Sequence, residues 1–219
     1  MAVNPRRLAL ALSLALLSAA SLLAAPKITA IRPDLGVIFM PNLDPDKETP
    51  NLVTYVLGCG AIIPLEKEPL SFEPAVDIYT NYYELDALGR GIPTTVEERS
   101  AFVIGLIIDA PLVYSWTLDE EEKWTLSCGG GPAFDIRVGF LAAEEGKEDL
   151  GSINAYFWKS LRFFQPTTFV RGEYRLTERV GFGFAIRAYW PIFNLWAGEG
   201  LPFFDQSLFC GSLGVNYKL

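Results

Sequence analysis

The last eleven residues, Phe209-Cys-Gly-Ser-Leu-Gly-Val-Asn-Tyr-Lys-Leu219, alternate between two kinds of side chain. Large apolar residues occupy the odd positions, with Gly211 between them, and Ser212, Asn216 and Lys218 lie at even positions. A period of two is typical of a β-strand with one apolar and one polar face. The stretch therefore predicts a strand at this end of the chain, and its apolar face consists of Phe209, Leu213, Val215, Tyr217 and Leu219.

The same alternation recurs along the chain. After residue 26 no uninterrupted apolar run approaches the roughly 18 residues that a membrane-spanning helix needs, although half of the chain is apolar. The apolar content must therefore be divided among short segments, which favours strands. The eight alternating segments cover approximately residues 28–40, 52–65, 70–82, 101–116, 124–140, 167–176, 180–196 and 206–219.

The connections between these segments alternate in length. The first, third, fifth and seventh are long, namely residues 41–51, 83–100, 141–166 and 197–205. The others are short, namely residues 66–69, 117–123 and 177–179. Short turns at one end and longer loops at the other are typical of membrane barrels with an even number of strands. The sequence predicts an all-β fold, an eight-stranded antiparallel up-and-down transmembrane β-barrel with both termini at the end of the short turns.

Charged residues lie on the faces opposite the apolar ones. An eight-stranded barrel has an interior that side chains can just fill, and buried charges there must be paired. Six acids and six bases therefore predict a lumen filled with ion pairs. These candidates are Arg32, Asp34, Glu73, Asp77, Asp109, Asp135, Arg137, Arg171, Glu173, Arg175, Arg187 and Lys218.

The terminal strand resembles the signal that the barrel assembly machinery of bacterial outer membranes reads. The chain departs from its commonest form at Leu219, where that form ends in Phe. The whole pattern resembles a small group of outer-membrane proteins that includes OmpX-like, OmpW-like and OmpA-transmembrane-type barrels. This resemblance implies outer-membrane lipid and the assembly machinery as partners, extracellular loops and periplasmic termini. It implies a structural or adhesin-like surface role, with an extracellular protein as a candidate partner, and it assigns no functional residue.

The first residues predict a secretory signal peptide. Arg6 and Arg7 precede an uncharged stretch rich in Leu and Ala at residues 8–17, and small residues follow. Such a leader is removed during export, here after Ala20 or Ala24. We therefore divide the chain into a signal peptide, residues 1–24, and a barrel, residues 25–219. The alternative is a single membrane-anchoring helix, because the apolar run just reaches the necessary length.

Composition argues against several functions. The chain contains no histidine, so neither a Ser-His-Asp arrangement nor a histidine metal site can form, and we predict no enzyme, no metal and no cofactor. The formal net charge of −8 disfavours binding to nucleic acid. Three cysteines cannot form a complete set of disulfides. We predict a monomer.

Two alternatives to a plugged surface protein remain open. A narrow OmpW-like channel for small apolar solutes could be lined by the inward apolar residues of the second and fourth segments, namely Leu52, Val56, Ile62, Val103, Ile107 and Val113. A soluble lipocalin-like binder would instead place the apolar faces inside. The third long connection contains aromatic residues at 156–158 and 163–164, which indicate an interfacial patch or a protein-contact surface. We also expect a bulge or register shift at Pro132, which lies within a segment.

Overall fold

The computed structural model describes residues 27–43, 51–66, 69–86, 89–94, 101–142 and 150–219. The predicted signal peptide, residues 1–24, lies outside the described residues and stays a prediction. Within the described ranges, no helix has the length and apolar character to cross a membrane.

The described residues form twelve strands and one α-helix, with two short 3-10 turns at 159–161 and 192–195. The helix, α1, spans Leu150–Trp158. The strands are β1 (Ala30–Met40), β2 (Leu52–Pro64), β3 (Leu70–Phe72), β4 (Ala75–Leu85), β5 (Gly91–Thr94), β6 (Ala101–Asp109), β7 (Leu112–Thr117), β8 (Trp124–Gly131), β9 (Ala133–Ala142), β10 (Thr167–Arg175), β11 (Val180–Tyr189) and β12 (Leu208–Lys218).

Antiparallel pairing closes these strands into a ring of eight barrel strands. We call each of the eight a stave, whether it is one continuous strand or two strands in line. β1, β2, β10, β11 and β12 are single staves, and three further staves consist of β3 with β4, β6 with β7, and β8 with β9. Each stave pairs with its neighbours in the chain, and β1 pairs with both β2 and β12, which closes the ring. The predicted eight-stranded antiparallel up-and-down barrel is therefore confirmed.

Three prolines interrupt the composite staves. Pro74, Pro111 and Pro132 have no N–H to donate. Their carbonyl oxygens nevertheless accept hydrogen bonds of 2.9–3.1 Å from Ala61, Glu73 and Ala110 of the adjacent staves. The hydrogen-bond ladder thus continues across each break.

The expected register shift at Pro132 is wrong. Leu112 pairs with Gly130 on one side of the break and Asp109 pairs with Ala133 on the other. Between these two pairs, each strand contains the same number of residues, three steps forward along one and three steps back along the other. The register is therefore unchanged. Because the proline removes only one hydrogen bond, the neighbouring residue pairs suffice to hold the register. The register irregularity between these staves lies instead between Phe102 and Val103.

The alternation predicted from the sequence sets the two faces of the wall. Outward residues such as Leu35, Leu57, Ile186 and Leu213 are more than half exposed. Inward neighbours are buried, and one apolar layer of the interior consists of Ile38, Met40, Val56, Val103 and Ile107. The core of this protein is therefore the inside of the barrel, and its outer surface is apolar.

Three elements differ from the sequence expectation. The seventh segment was predicted to reach residue 196, but β11 ends at Tyr189, because Pro191 leads into the second 3-10 turn. The short strand β5 pairs with the end of β4, and α1 lies in the third long connection. Neither β5 nor α1 was predicted.

Candidate functional site

The barrel lumen holds most of the charged residues that the sequence pointed to. Nine of the twelve candidates are buried, with exposures of 1–7%: Arg32, Asp34, Glu73, Asp77, Asp109, Asp135, Arg137, Arg171 and Arg187. Glu173 is partly buried, and its carboxylate accepts a hydrogen bond of 2.8 Å from Asn216.

Arg175 and Lys218 lie at the mouth of the lumen and not in its sealed interior. Each is at or near the end of its strand, where the lumen opens to solvent. Arg175 is about a third exposed, donates to the carbonyl oxygen of Glu121 at 2.8 Å and lies 3.6 Å from the carboxylate of Glu122. With Thr117, Thr125, Glu173 and Asn216, they line an open cavity of about 220 Å³ at the end of the short turns.

Glu73 is the centre of the first buried cluster. Its carboxylate accepts hydrogen bonds from Arg171 at 2.6 and 3.0 Å and from Arg32 at 2.8 Å. The hydroxyl of Ser71 donates a fourth at 3.0 Å. A carboxylate can accept about four hydrogen bonds. The acceptor capacity of Glu73 is therefore filled by residues from three different staves.

Arg187 is the centre of the second cluster. Its guanidinium donates to Asp34 and Asp77, each at 2.5 Å, and lies 3.9 Å from Asp109. Tyr189 donates to Asp77 at 3.2 Å or to Asp109 at 3.1 Å. One arginine thus joins three carboxylates from three other staves, β1, β4 and β6, and spans the lumen.

A glycine makes room for the second cluster. A Cβ atom at Gly58 would lie 1.9 Å from one oxygen of Asp77 and 2.6 Å from one oxygen of Asp34. Both distances are far below van der Waals contact, so any side chain at this position would displace the carboxylates that Arg187 binds. The small residue at 58 is thus a requirement of the ion-pair geometry.

A third cluster lies toward the end of the long loops. Asp135 is 3.2 Å from the guanidinium of Arg137 and accepts a hydrogen bond of 2.9 Å from Tyr79. Arg137 also donates to Tyr83 at 3.0 Å and lies 4.8 Å from the ring centre of Phe157. The arginine is therefore held by one carboxylate and by aromatic side chains.

Helix α1 closes this end of the lumen. Its residues Ile153, Tyr156 and Phe157 are almost fully buried, and Phe157 packs edge-on against Tyr83. Asn154 both donates to and accepts from the backbone of Gly139 on the wall. The aromatic residues at 156–157 consequently face inward as a cap. Their spacing of three and four residues from Ile153 is that of an apolar helix face, which is the signal that could have predicted α1.

Tyr156 connects the cap to other loops. Burial raises the pKa of Tyr156 to about 12. Its hydroxyl accepts a hydrogen bond of 3.3 Å from Gln206, which also donates to the carbonyl oxygen of Gly91. Because the phenol stays neutral well above ordinary pH, the contact that joins three long connections is insensitive to pH in that range.

Little space remains between the clusters. The cavity lined by Arg32, Glu73, Asp109, Arg171 and Arg187 has a volume of about 10 Å³. Roughly 10–15 Å³ is needed to hold one water molecule. The lumen around these five residues is therefore filled, and it opens to solvent at the mouth near the short turns.

Metal and thiol chemistry gain no support from the described residues. Among them, no group of three or more Cys, Asp or Glu residues could hold a metal ion. Cys59, Cys128 and Cys210 are free thiols, exposed, half-buried and buried respectively.

The distribution of side chains decides the kind of barrel. A soluble barrel would bury its apolar residues and expose its charges, whereas here Leu35, Leu57 and Leu213 are exposed and Arg187 and Glu73 are buried. A wall in lipid must pair its backbone N–H and C=O groups, and the described strands do so by hydrogen bonding around a closed ring. The chain folds as a transmembrane β-barrel.

Solved structures of other proteins are similar to this chain at low sequence identity. No protein-family model and no curated protein matches the chain. It is similar to neisserial surface protein A at 11% identity and a TM-score of 0.48, over 87% of this chain and 96% of that one. It is similar to Ail, the attachment invasion locus protein of Yersinia pestis crystallised with sucrose octasulfate, at 8% identity and a TM-score of 0.44, over 88% and 100%. The fold assignment rests on the closed strand pairing and the apolar outer wall.

Proposed function

We propose that this chain is a non-enzymatic bacterial outer-membrane barrel with a sealed lumen, which has a structural or surface-interaction role. The observation that carries the proposal is the ion-pair network across the interior. Arg187 joins carboxylates from β1, β4 and β6, and Glu73 joins arginines from β1 and β10. A lumen bridged in this way leaves no continuous path for a solute.

The membrane and its orientation follow from the sequence signals. The predicted leader directs export, and the terminal strand resembles the signal of the assembly machinery. In barrels of this kind the short turns face the periplasm. We therefore place the turns at 118–123 and 177–179, and both termini, in the periplasm. The end capped by α1 then faces outward, and its connections are the part that meets an extracellular protein.

Catalysis is disfavoured by how the buried carboxylates are used. Acid–base work requires a group that can reach a substrate. Glu73 and Asp77 are bound to arginines inside a filled interior, and each is only 2% exposed. We assign these residues to ion pairs that hold the staves together.

The narrow-channel alternative receives less support. Four of the six residues proposed to line it, Leu52, Val56, Val103 and Ile107, are buried in the same apolar cluster as Tyr79 and Tyr83. The soluble-binder alternative is opposed by the apolar outer wall. Transport would require the network of Arg187 and Glu73 to open.

Conductance in planar bilayers tests the sealed lumen. Folded protein is expected to give no discrete current steps, because the clusters block the lumen. The matched comparison is a triple variant, Arg32→Ala, Glu73→Ala and Arg171→Ala, which removes one whole cluster and is expected to stay closed, because Arg187 still joins three carboxylates across the lumen. A heat-modifiability gel selects folded protein for both recordings. Discrete openings of the unaltered protein would reject the sealed version in favour of the channel.

A further inference from the structure

The segment that follows α1 displays apolar side chains at the rim of the barrel. Trp158 is 51% exposed and Leu161 is 47% exposed. Phe163 stacks against Trp158 with ring centres 5.1 Å apart. Trp196, which directly follows the second 3-10 turn, donates from its indole N–H to the carbonyl oxygen of Ser160 at 2.8 Å. We call these four side chains (Trp158, Leu161, Phe163 and Trp196) the aromatic foot.

A buried arginine fixes the foot to the barrel. The side chain of Arg162 is fully buried, and its guanidinium lies 4.1 Å from the ring centre of Tyr156 and 4.8 Å from that of Phe193. It also pairs with Glu199 of the fourth long connection. The segment is therefore anchored from beneath, and its apolar side chains are held in an outward position.

The backbone of this segment is in a costly conformation. Ser160 and Leu161 have φ angles of 56° and 58°, in the left-handed region. A residue with a Cβ atom adopts this conformation only at an energetic cost. Leu161 nevertheless leaves about half of its side chain exposed, so burial within the chain offsets only part of this cost. An apolar environment outside the chain would stabilise the exposed part of this side chain and so offset more of the cost.

The foot is continuous with the lipid-facing wall. Phe164 forms an antiparallel bridge with Phe134, and their ring centres are 5.6 Å apart. Phe134 lies ten residues along its stave from Trp124. Trp124 lies at the rim next to the short turns, at the other end of the barrel from the foot. At about 3.3 Å per residue and a tilt of about 45°, ten residues rise about 23 Å. The apolar band of such barrels is about 25 Å tall, so the foot lies at the upper edge of the bilayer.

We propose that the aromatic foot rests in the lipid headgroup layer of the outer leaflet, an inference that depends on the membrane placement proposed above. Trp favours this depth because its ring is apolar and its N–H is polar. Lys159, exposed between Trp158 and Ser160, places a cation where lipid phosphates lie. The third connection therefore contacts lipid, which leaves the rest of the capped end to meet other proteins.

Depth-dependent quenching of tryptophan fluorescence tests the foot. Three full-length variants each retain one tryptophan, Trp158, Trp196 or Trp124, with the other four changed to Phe. They are folded into phosphatidylcholine vesicles whose acyl chains carry bromine either near the headgroup or near the chain ends. We expect Trp158 and Trp196 to lose most of their fluorescence to the shallow bromines and little to the deep ones, and Trp124 to behave similarly at the other rim.

The outcomes separate the foot from the membrane placement. If Trp124 were quenched but Trp158 and Trp196 were not, the proposed lipid contact of the foot would be overturned, whereas the membrane placement of the barrel would stand. Failure to quench all three would reject the membrane placement and the foot with it. Leu161→Asn, in the variant that retains Trp158, provides a second measurement, because Asn tolerates the left-handed conformation. Shallow quenching of Trp158 is expected to weaken; an unchanged profile would remove Leu161 from the foot.

Discussion

Replacing Arg187 with methionine is expected to lower the free energy of unfolding by about 3–5 kcal/mol, because the change leaves buried carboxylates without their partner. Asp34, Asp77 and Asp109 are each no more than 6% exposed and share this one guanidinium. Methionine keeps the unbranched shape and removes the charge. Denaturant titration of the protein in vesicles, followed by tryptophan fluorescence, measures the difference.

A matched control lies at the mouth of the same lumen. Arg175 pairs with the exposed Glu122, so Arg175→Met is expected to cost less than about 1 kcal/mol. Adding Asp77→Asn and Asp34→Asn to Arg187→Met is expected to recover part of the stability, since those charges no longer need a partner. Equal costs for Arg187→Met and Arg175→Met would contradict the structural role of the buried network.

Replacing Phe184 with arginine is expected to cost about 2–4 kcal/mol, the penalty for a cation on the lipid face near the bilayer centre. Phe184 is 50% exposed and lies near the middle of β11. Phe184→Leu is the control, because leucine remains apolar, and its cost is expected to be far smaller. The same titration in vesicles measures both variants. If Phe184→Arg stayed within about 0.5 kcal/mol of the unaltered protein, as at a water-exposed site, the outer wall would not face lipid.

The staves could be predicted because lipid imposes a simple rule on them. Most outward positions must be apolar and the inward positions can be polar, so alternation persists along each stave. In β12 this is visible from Phe209 to Tyr217, and the structure places the strand within two residues of the predicted bounds. The prolines did not disturb the pattern, because one missing N–H does not change the register.

The partners of the buried charges could not be predicted from the sequence. Arg171 meets Glu73 across 98 residues, and Arg187 meets Asp34 across 153. Which residues share a level in a barrel depends on the stagger of all the staves. Alternation predicts the face of a residue but not its height, so it could not show that Arg175 and Lys218 lie at the mouth.

The cap could not be recognised from alternation either. α1 follows the period of a helix, and only tertiary contacts decide that its apolar face turns into the lumen. Asn154 fixes the helix to the wall through two hydrogen bonds with the backbone of Gly139. The sequence therefore indicated aromatic residues in this connection, whereas the structure divides them between an inward cap and an outward foot.

A spin-label scan along β11 tests most directly which side of the wall faces lipid. Single nitroxides are placed at each position from 181 to 188, in a variant whose three cysteines are replaced by serine, in lipid vesicles. Collision with oxygen, which concentrates in lipid, is expected to peak at 182, 184 and 186, and collision with a water-soluble nickel complex to stay low throughout. Maxima for the nickel complex at 182, 184 and 186, or no period of two, would contradict an apolar wall in the bilayer around buried ion pairs.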